Sequence, residues 1–172
     1  MSKFYYDLHI HSCLSPCGDN DSTPDSIAGM GELNELNLMA ITDHNSLKNA
    51  PAFFKAAERH SVTPVAGMEL TTSEDIHALC LFEHLEGALD FDRALEPLKM
   101  PFKNDAKIFG NQLVCDENDN ILYEEENLLI NATFLSLDEA YEKVIEHGGI
   151  LIPAHIDRKS NGIISVLGSL PE

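Results

Sequence analysis

Short apolar runs that read as strands alternate with amphipathic segments that read as helices along most of this 172-residue chain. Residues 4–10, 38–42, 62–70, 77–82 and 150–154 have the aliphatic or period-two character of strands. Thr23 and Pro24 open a helix with Ile27, Met30, Leu33 and Leu36 on one face. Ser46 can cap a second, with Leu47, Ala50, Phe53 or Phe54, and Ala57 inward. A third is expected over residues 91–98. Ser136-Leu137-Asp138-Glu139 is a capping box for a fourth, which turns Leu137, Ala140, Tyr141, Val144 and Ile145 inward and stops at Gly148-Gly149. Such alternation restricts the chain to an α/β architecture with a largely parallel sheet or barrel. The pattern breaks at residues 101–131. There, the acidic turn at residues 116–120 between two short strands predicts a β-hairpin excursion with a solvated tip. No repeat or linker divides the chain, so residues 1–172 are expected to form one domain.

Metal-type side chains recur where the strands run out. In Asp7-Leu8-His9-Ile10-His11, alternation along a strand places His9 and His11 on one face, close enough to chelate one ion, with Leu8 and Ile10 turned to the core. Thr42-Asp43-His44 closes the second strand, Gly67-Met68-Glu69 lies at the end of the third, and Pro153-Ala154-His155 closes the fifth. In parallel α/β folds the carboxyl ends of strands share one face, and sites are built there. His77 begins a strand instead. The gap from Glu69 is too short for a helical crossover, so a tight turn should return His77 to the same rim. Asp7 and Asp43 are expected to orient the imidazoles beside them. His60, His84 and His147 are read as structural, two of them at helix ends.

These motifs, in this order, resemble the PHP (polymerase and histidinol phosphatase) domain over essentially the whole chain. The resemblance implies a distorted (β/α)7 TIM-like barrel and a metal-dependent phosphoesterase. It also implies that His9 and His11 bind a first ion, with Glu69 bridging to a second held by His77 and His155. His44 and an acid from the following loop would hold a third; Asp19 is the expected acid, with Asp21 its rival. The family pattern ends in an Asp-x-His that this sequence lacks. The expectation is therefore a C-terminally incomplete barrel whose final units are missing or come from another polypeptide, with fewer ions than the full set. Self-association or pairing with a complementing chain follows from the strand edges this would expose.

Imidazoles with carboxylates suit zinc, manganese or iron, two or three divalent ions in all, better than calcium. A metal-activated hydroxide would then attack phosphorus without a protein nucleophile. With 11 basic and 29 acidic residues, the net charge is −18. That balance argues against non-specific nucleic-acid binding and for a small phosphate monoester, or the end of a nucleotide or oligonucleotide, as substrate. Arg158, three residues past His155, is placed to contact a phosphate oxygen. A degenerate, catalytically inactive metal-binding module serving as a partner or regulatory domain is the alternative. Cys13, Cys17, Cys80 and Cys115 form no CxxC pair and read as reduced thiols. With no apolar run near the length of a membrane span and no leader-like start, a cytoplasmic location is expected.

Overall fold

The computed structural model describes residues 3–170. Strand β1 (Tyr6–Ile10) is followed by α1 (Pro24–Leu33), β2 (Leu38–Ile41), α2 (Ala50–Ala57), β3 (Thr63–Thr71) and β4 (His77–Phe82). Next come α3 (Leu85–Leu95), a 3-10 turn at Glu96–Leu98, the single turn α4 (Ala106–Phe109), β5 (Leu113–Cys115) and β6 (Ile121–Glu124). The described chain ends with α5 (Leu137–Glu146), β7 (Gly149–Pro153) and α6 (Ile163–Leu167).

Five strands form one sheet in the order β1-β2-β3-β4-β7, and β5 pairs with β6 in a separate two-stranded sheet. Strands β1, β2 and β3 are parallel. Strand β4 runs antiparallel to β3, because the five residues between them cannot make a helical crossover, and β7 runs antiparallel to β4. The architecture is thus α/β with a mixed sheet rather than a largely parallel one. Among the described residues β1 and β7 do not pair, so the sheet is open and does not form a closed barrel.

Alternation along β3 divides the molecule into core and rim. Ala66, Met68 and Leu70 enter the main core with Phe82, Phe91, Leu95 and Val144, which leaves Glu69 on the opposite face. A second cluster under α1 and α2 joins Ile27, Met39, Ile41, Phe53, Ala56 and Val62.

Several local expectations need correction. Helix α1 buries Pro24, Ile27, Ala28 and Gly31, while Met30 and Leu33 are 57% and 78% exposed. The cause is a close approach at Gly31, where an added Cβ would lie 2.0 Å from Met39 Sδ; seating the helix there turns Met30 and Leu33 outward. Helix α5 has its capping box, but it buries only Leu137, Ala140 and Val144 and leaves Tyr141 and Ile145 exposed. Helix α3 starts at Leu85 rather than 91, and α6 was not anticipated. Ser46 does not cap α2: its hydroxyl accepts from the Lys48 N–H in a preceding turn, and Asn49 holds the cap position.

The acidic turn between β5 and β6 is docked rather than solvated. Thr23 sits at the cap position of α1, but its hydroxyl makes no capping bond. The Asp119 carboxylate supplies it instead, accepting from the backbone N–H of Asp25 at 2.8 Å and of Ser26 at 3.3 Å. Unpaired N–H groups and the positive end of the helix dipole attract that carboxylate. Arg59 donates to the Glu117 carbonyl, which adds a second tie from beyond α2.

Asn49 locks the base of the same hairpin. Its amide donates to the Leu113 carbonyl at 3.1 Å and to Ser12 Oγ at 3.0 Å, and its oxygen accepts from the Cys115 N–H at 3.0 Å. Replacing Asn49 by Ala leaves these buried groups without partners, at a cost of about 2–3 kcal/mol. Asn49→Ala should therefore melt about 5–10 °C lower in a thermal scan, whereas Asn118→Ala at the exposed tip should melt with the parent protein.

Candidate metal centre

Strand direction decides which side chains meet. The carboxyl ends of β1, β2, β3 and β7 and the amino end of β4 all lie at one edge of the sheet. His9 and His11 leave the end of β1, and His44 follows β2 and bridges to Glu69 near the end of β3. His77 opens β4 opposite Thr71, and His155 lies two residues beyond β7. Its backbone has φ of +26°, a region that non-glycine residues rarely occupy, so the surrounding structure holds His155 in this position under strain.

All five imidazoles converge on the Glu69 carboxylate, which is 2% exposed. Oε1 lies 3.3 Å from His9 Nε2, 3.1 Å from His77 Nδ1 and 3.1 Å from His155 Nε2. Oε2 lies 3.1 Å from His11 Nε2 and 3.4 Å from His44 Nδ1. Burial alone would raise the pKa of Glu69, but hydrogen bonds from His11, His77 and His9 overcome it and hold the carboxyl well below its ordinary range. Burial also lowers His11, yet Cys17 and Glu69 outweigh it and push that ring up to about 10. His44 goes the other way, driven down to about 3 mainly by burial; burial likewise lowers His155.

The donor set fits divalent metal ions. His44 Nδ1 and His155 Nδ1 are buried without a hydrogen-bond partner, and the proximity of His44 Nδ1 to Glu69 is not matched by bonding geometry. Ligand atoms of His9, His11 and Glu69 lie within 4.8 Å of one another, as do those of His44, Glu69 and His77, and those of His11, Cys17 and His44. Neutral nitrogen donors around a shared carboxylate match zinc, manganese or iron(II).

A network behind the cluster fixes His11. Asp43 is fully buried and accepts from Ser12 Oγ at 2.6 Å, the Ser12 N–H at 2.7 Å and Ser15 Oγ at 2.7 Å. Burial raises its pKa against the pull of those donors. The Ser15 proton is committed to Asp43, so its oxygen accepts, from His11 Nδ1 at 3.0 Å and from the His44 N–H at 3.1 Å. His11 therefore carries its proton on Nδ1 when neutral and turns the Nε2 lone pair to the cluster. Asp43 thus orients the ring through Ser15 rather than directly. Ser15 was invisible to a reading by residue type. Asp7 is exposed and, among the described residues, accepts only from the backbone N–H of His9, so there it orients no imidazole.

Other expected residues fall outside the cluster. Asp19 and Asp21 are both exposed, and the Asp19 carboxylate accepts from the Asp21 N–H at 2.9 Å. Neither acid joins a metal-capable group among the described residues; Cys17 does. Arg158 is exposed and makes no ion pair among the described residues, although its charge helps keep His155 unprotonated. His60 is held between Glu32 and Asp25, His147 Nδ1 donates to the Lys143 carbonyl at the end of α5, and His84 precedes α3 at the surface. No helix among the described residues is long and apolar enough to cross a membrane.

Comparison with known proteins bears on the same residues. The family model described as the PHP domain matches residues 7–143. Over 88 residues the chain is 30% identical to an error-prone DNA polymerase of Symbiobacterium thermophilum, covering 51% of this chain and 8% of the polymerase. Endonuclease Q, solved with a 27-mer duplex carrying an abasic lesion at its active site, superposes with a TM-score of 0.66 at 21% identity, over 96% of this chain and 38% of that one. A Bifidobacterium adolescentis protein described as a candidate metal-dependent phosphoesterase gives a TM-score of 0.62 at 16% identity, over 92% and 69% of the two chains. The chain spans only a small part of the polymerase and under half of the endonuclease, and at these identities the structural likeness is one of fold. The family match extends over most of the sequence and takes in His9, His11, His44, Glu69 and His77: this chain belongs to the PHP domain family.

Proposed function

We propose that this chain is a metal-dependent phosphoesterase acting on a small phosphate monoester or on the end of a nucleotide or oligonucleotide. The observation that carries this reading is the single buried carboxylate of Glu69 within 3.4 Å of five imidazole rings. Glu69 presents one oxygen to His77 and His155 and the other to His11 and His44, so it is suited to bridge two cations. Two or three zinc, manganese or iron ions, when bound, would supply Lewis acidity and a water of lowered pKa.

The protein's own residues account for the rest. His9, His11, His77 and His155 would hold the cations, and the Asp43–Ser15 relay would keep His11 Nε2 aimed at them. Arg158, without an ion-pair partner among the described residues, would take a phosphate oxygen as the substrate docks beside His155. The rim cations would offset the −18 charge that otherwise repels a phosphate. The duplex complex of Endonuclease Q sits poorly with the expectation that this chain does not bind nucleic acid non-specifically. A strand end that reaches the rim needs no basic groove, so nuclease activity on ends or short oligonucleotides belongs to this reading.

Phosphate release from nucleoside monophosphates, bisphosphates and short oligonucleotides, assayed with zinc, manganese and iron(II), tests the proposal. Glu69→Gln should lower the rate at least about 100-fold, since a bridging charge is worth several kcal/mol to a metal-clamped transition state. Equal turnover in Glu69→Gln would overturn the assignment, and tight metal binding without turnover on any of these esters would favour the inactive module. Ser15→Ala should fold but bind metal about 10–100-fold more weakly, because His11 loses its orienting acceptor. Isothermal titration of the apoprotein with zinc measures that change.

A further inference from the structure

We propose that Cys17 is a metal ligand: its thiolate, with His11 and His44, holds a thiophilic divalent cation at the outer edge of the cluster, where a loop carboxylate was expected. This rests on the metal centre proposed above and adds to it the identity of a ligand and a preference among metals.

The loop winds in a way that brings Cys17 Sγ beside His11 and His44 and leaves Asp19 outside that group. The Ser15 N–H bonds the Ser12 carbonyl at 3.1 Å, and the Gly18 N–H bonds the Ser15 carbonyl at 2.8 Å, so two successive turns fold the chain back over His11. Gly18 makes this fold possible, since a Cβ there would lie 2.1 Å from the Ser12 carbonyl oxygen. A further turn is closed by the Ser22 N–H on the Asp19 carbonyl at 3.0 Å. The Asp19 carboxylate is occupied by the Asp21 N–H and exposed, whereas Cys17 Sγ and ring nitrogens of His11 and His44 lie within 4.8 Å of one another.

A second feature marks one of the same three residues as in want of a ligand. His44 is 3% exposed, and its Nδ1 is buried with no hydrogen-bond partner. An imidazole in that condition is stabilised by a cation that accepts its lone pair. Cys17 is the one cysteine open to solvent; Cys13, Cys80 and Cys115 are buried, and burial pushes their thiols up, so they are poor ligands. On binding, the Cys17 S–H bond breaks, the S–metal bond forms and the proton passes to solvent. A thiolate is a soft donor and favours zinc, iron(II) or cobalt over manganese and magnesium at this position.

Cobalt(II) titration of the apoprotein separates this proposal from the one it rests on. Visible d–d bands report metal at the centre by any ligands, and a near-ultraviolet sulfur-to-cobalt charge-transfer band reports a thiolate ligand. The parent protein should show both. Cys17→Ser should lose the charge-transfer band, keep d–d bands and bind about one equivalent less zinc, while Asp19→Asn should behave like the parent. Cys17→Asp should recover the lost equivalent, now with relative preference for manganese. Visible bands without charge transfer in the parent, or charge transfer that survives Cys17→Ser, would overturn the role of Cys17 and leave the metal centre standing. Failure of the parent to bind cobalt at all would overturn both.

Discussion

Burying one carboxylate among five imidazoles is the constraint around which this molecule is built. An isolated ionised carboxyl at the depth of Glu69 costs several kcal/mol in lost hydration, and it persists only where opposite charge or strong donors meet it. Here the donors come from two parallel strand ends, one hairpin return and a strained residue beyond the last strand of the sheet. Burial drives His44 and His155 down, with the neighbouring rings adding to it, while hydrogen bonds to Cys17 and Glu69 overcome burial and drive His11 up. A set of donors with too few protons to satisfy them suits multivalent cations.

The support for that rim reaches well beyond it. Asp43, Ser12, Ser15 and Asn49 form one continuous buried network from His11 and the backbone of His44 to the base of the β5–β6 hairpin. The tip of that hairpin in turn completes the amino end of α1 through Asp119. An excursion that leaves the alternation of strand and helix is thereby tied to the loop after β1 at one end and to the helix layer at the other. Packing alone would not hold a ligand loop so specifically, because satisfied buried polar groups select one geometry where apolar contacts tolerate several.

Much of the rim could be read from sequence because period-two alternation and strand direction are one-dimensional rules. His9 and His11 share a face by parity, and the short β3–β4 gap is enough to return His77 to Glu69. What could not be read depends on tertiary contact. Cys17 rather than Asp19 stands beside His11 and His44, brought there by two consecutive turns and the close approach at Gly18, whereas the family resemblance favoured the acid. Ser15 acquires its role from the proximity of Asp43, 28 residues away in sequence. Met30 and Leu33 fit the apolar stripe of α1, yet a close approach at Gly31 turns them to solvent. Alternation likewise suggested a largely parallel sheet, whereas β4 runs antiparallel to both of its neighbours.

Shared cations around Glu69 are the centre of the account, and an anomalous-difference map from crystals grown with zinc or manganese examines them most directly. Two peaks about 3.5–4 Å apart, one on each side of the Glu69 carboxylate, are the expected result. A map with no peak within coordination distance of Glu69, in crystals whose metal content is confirmed by absorption, would contradict it.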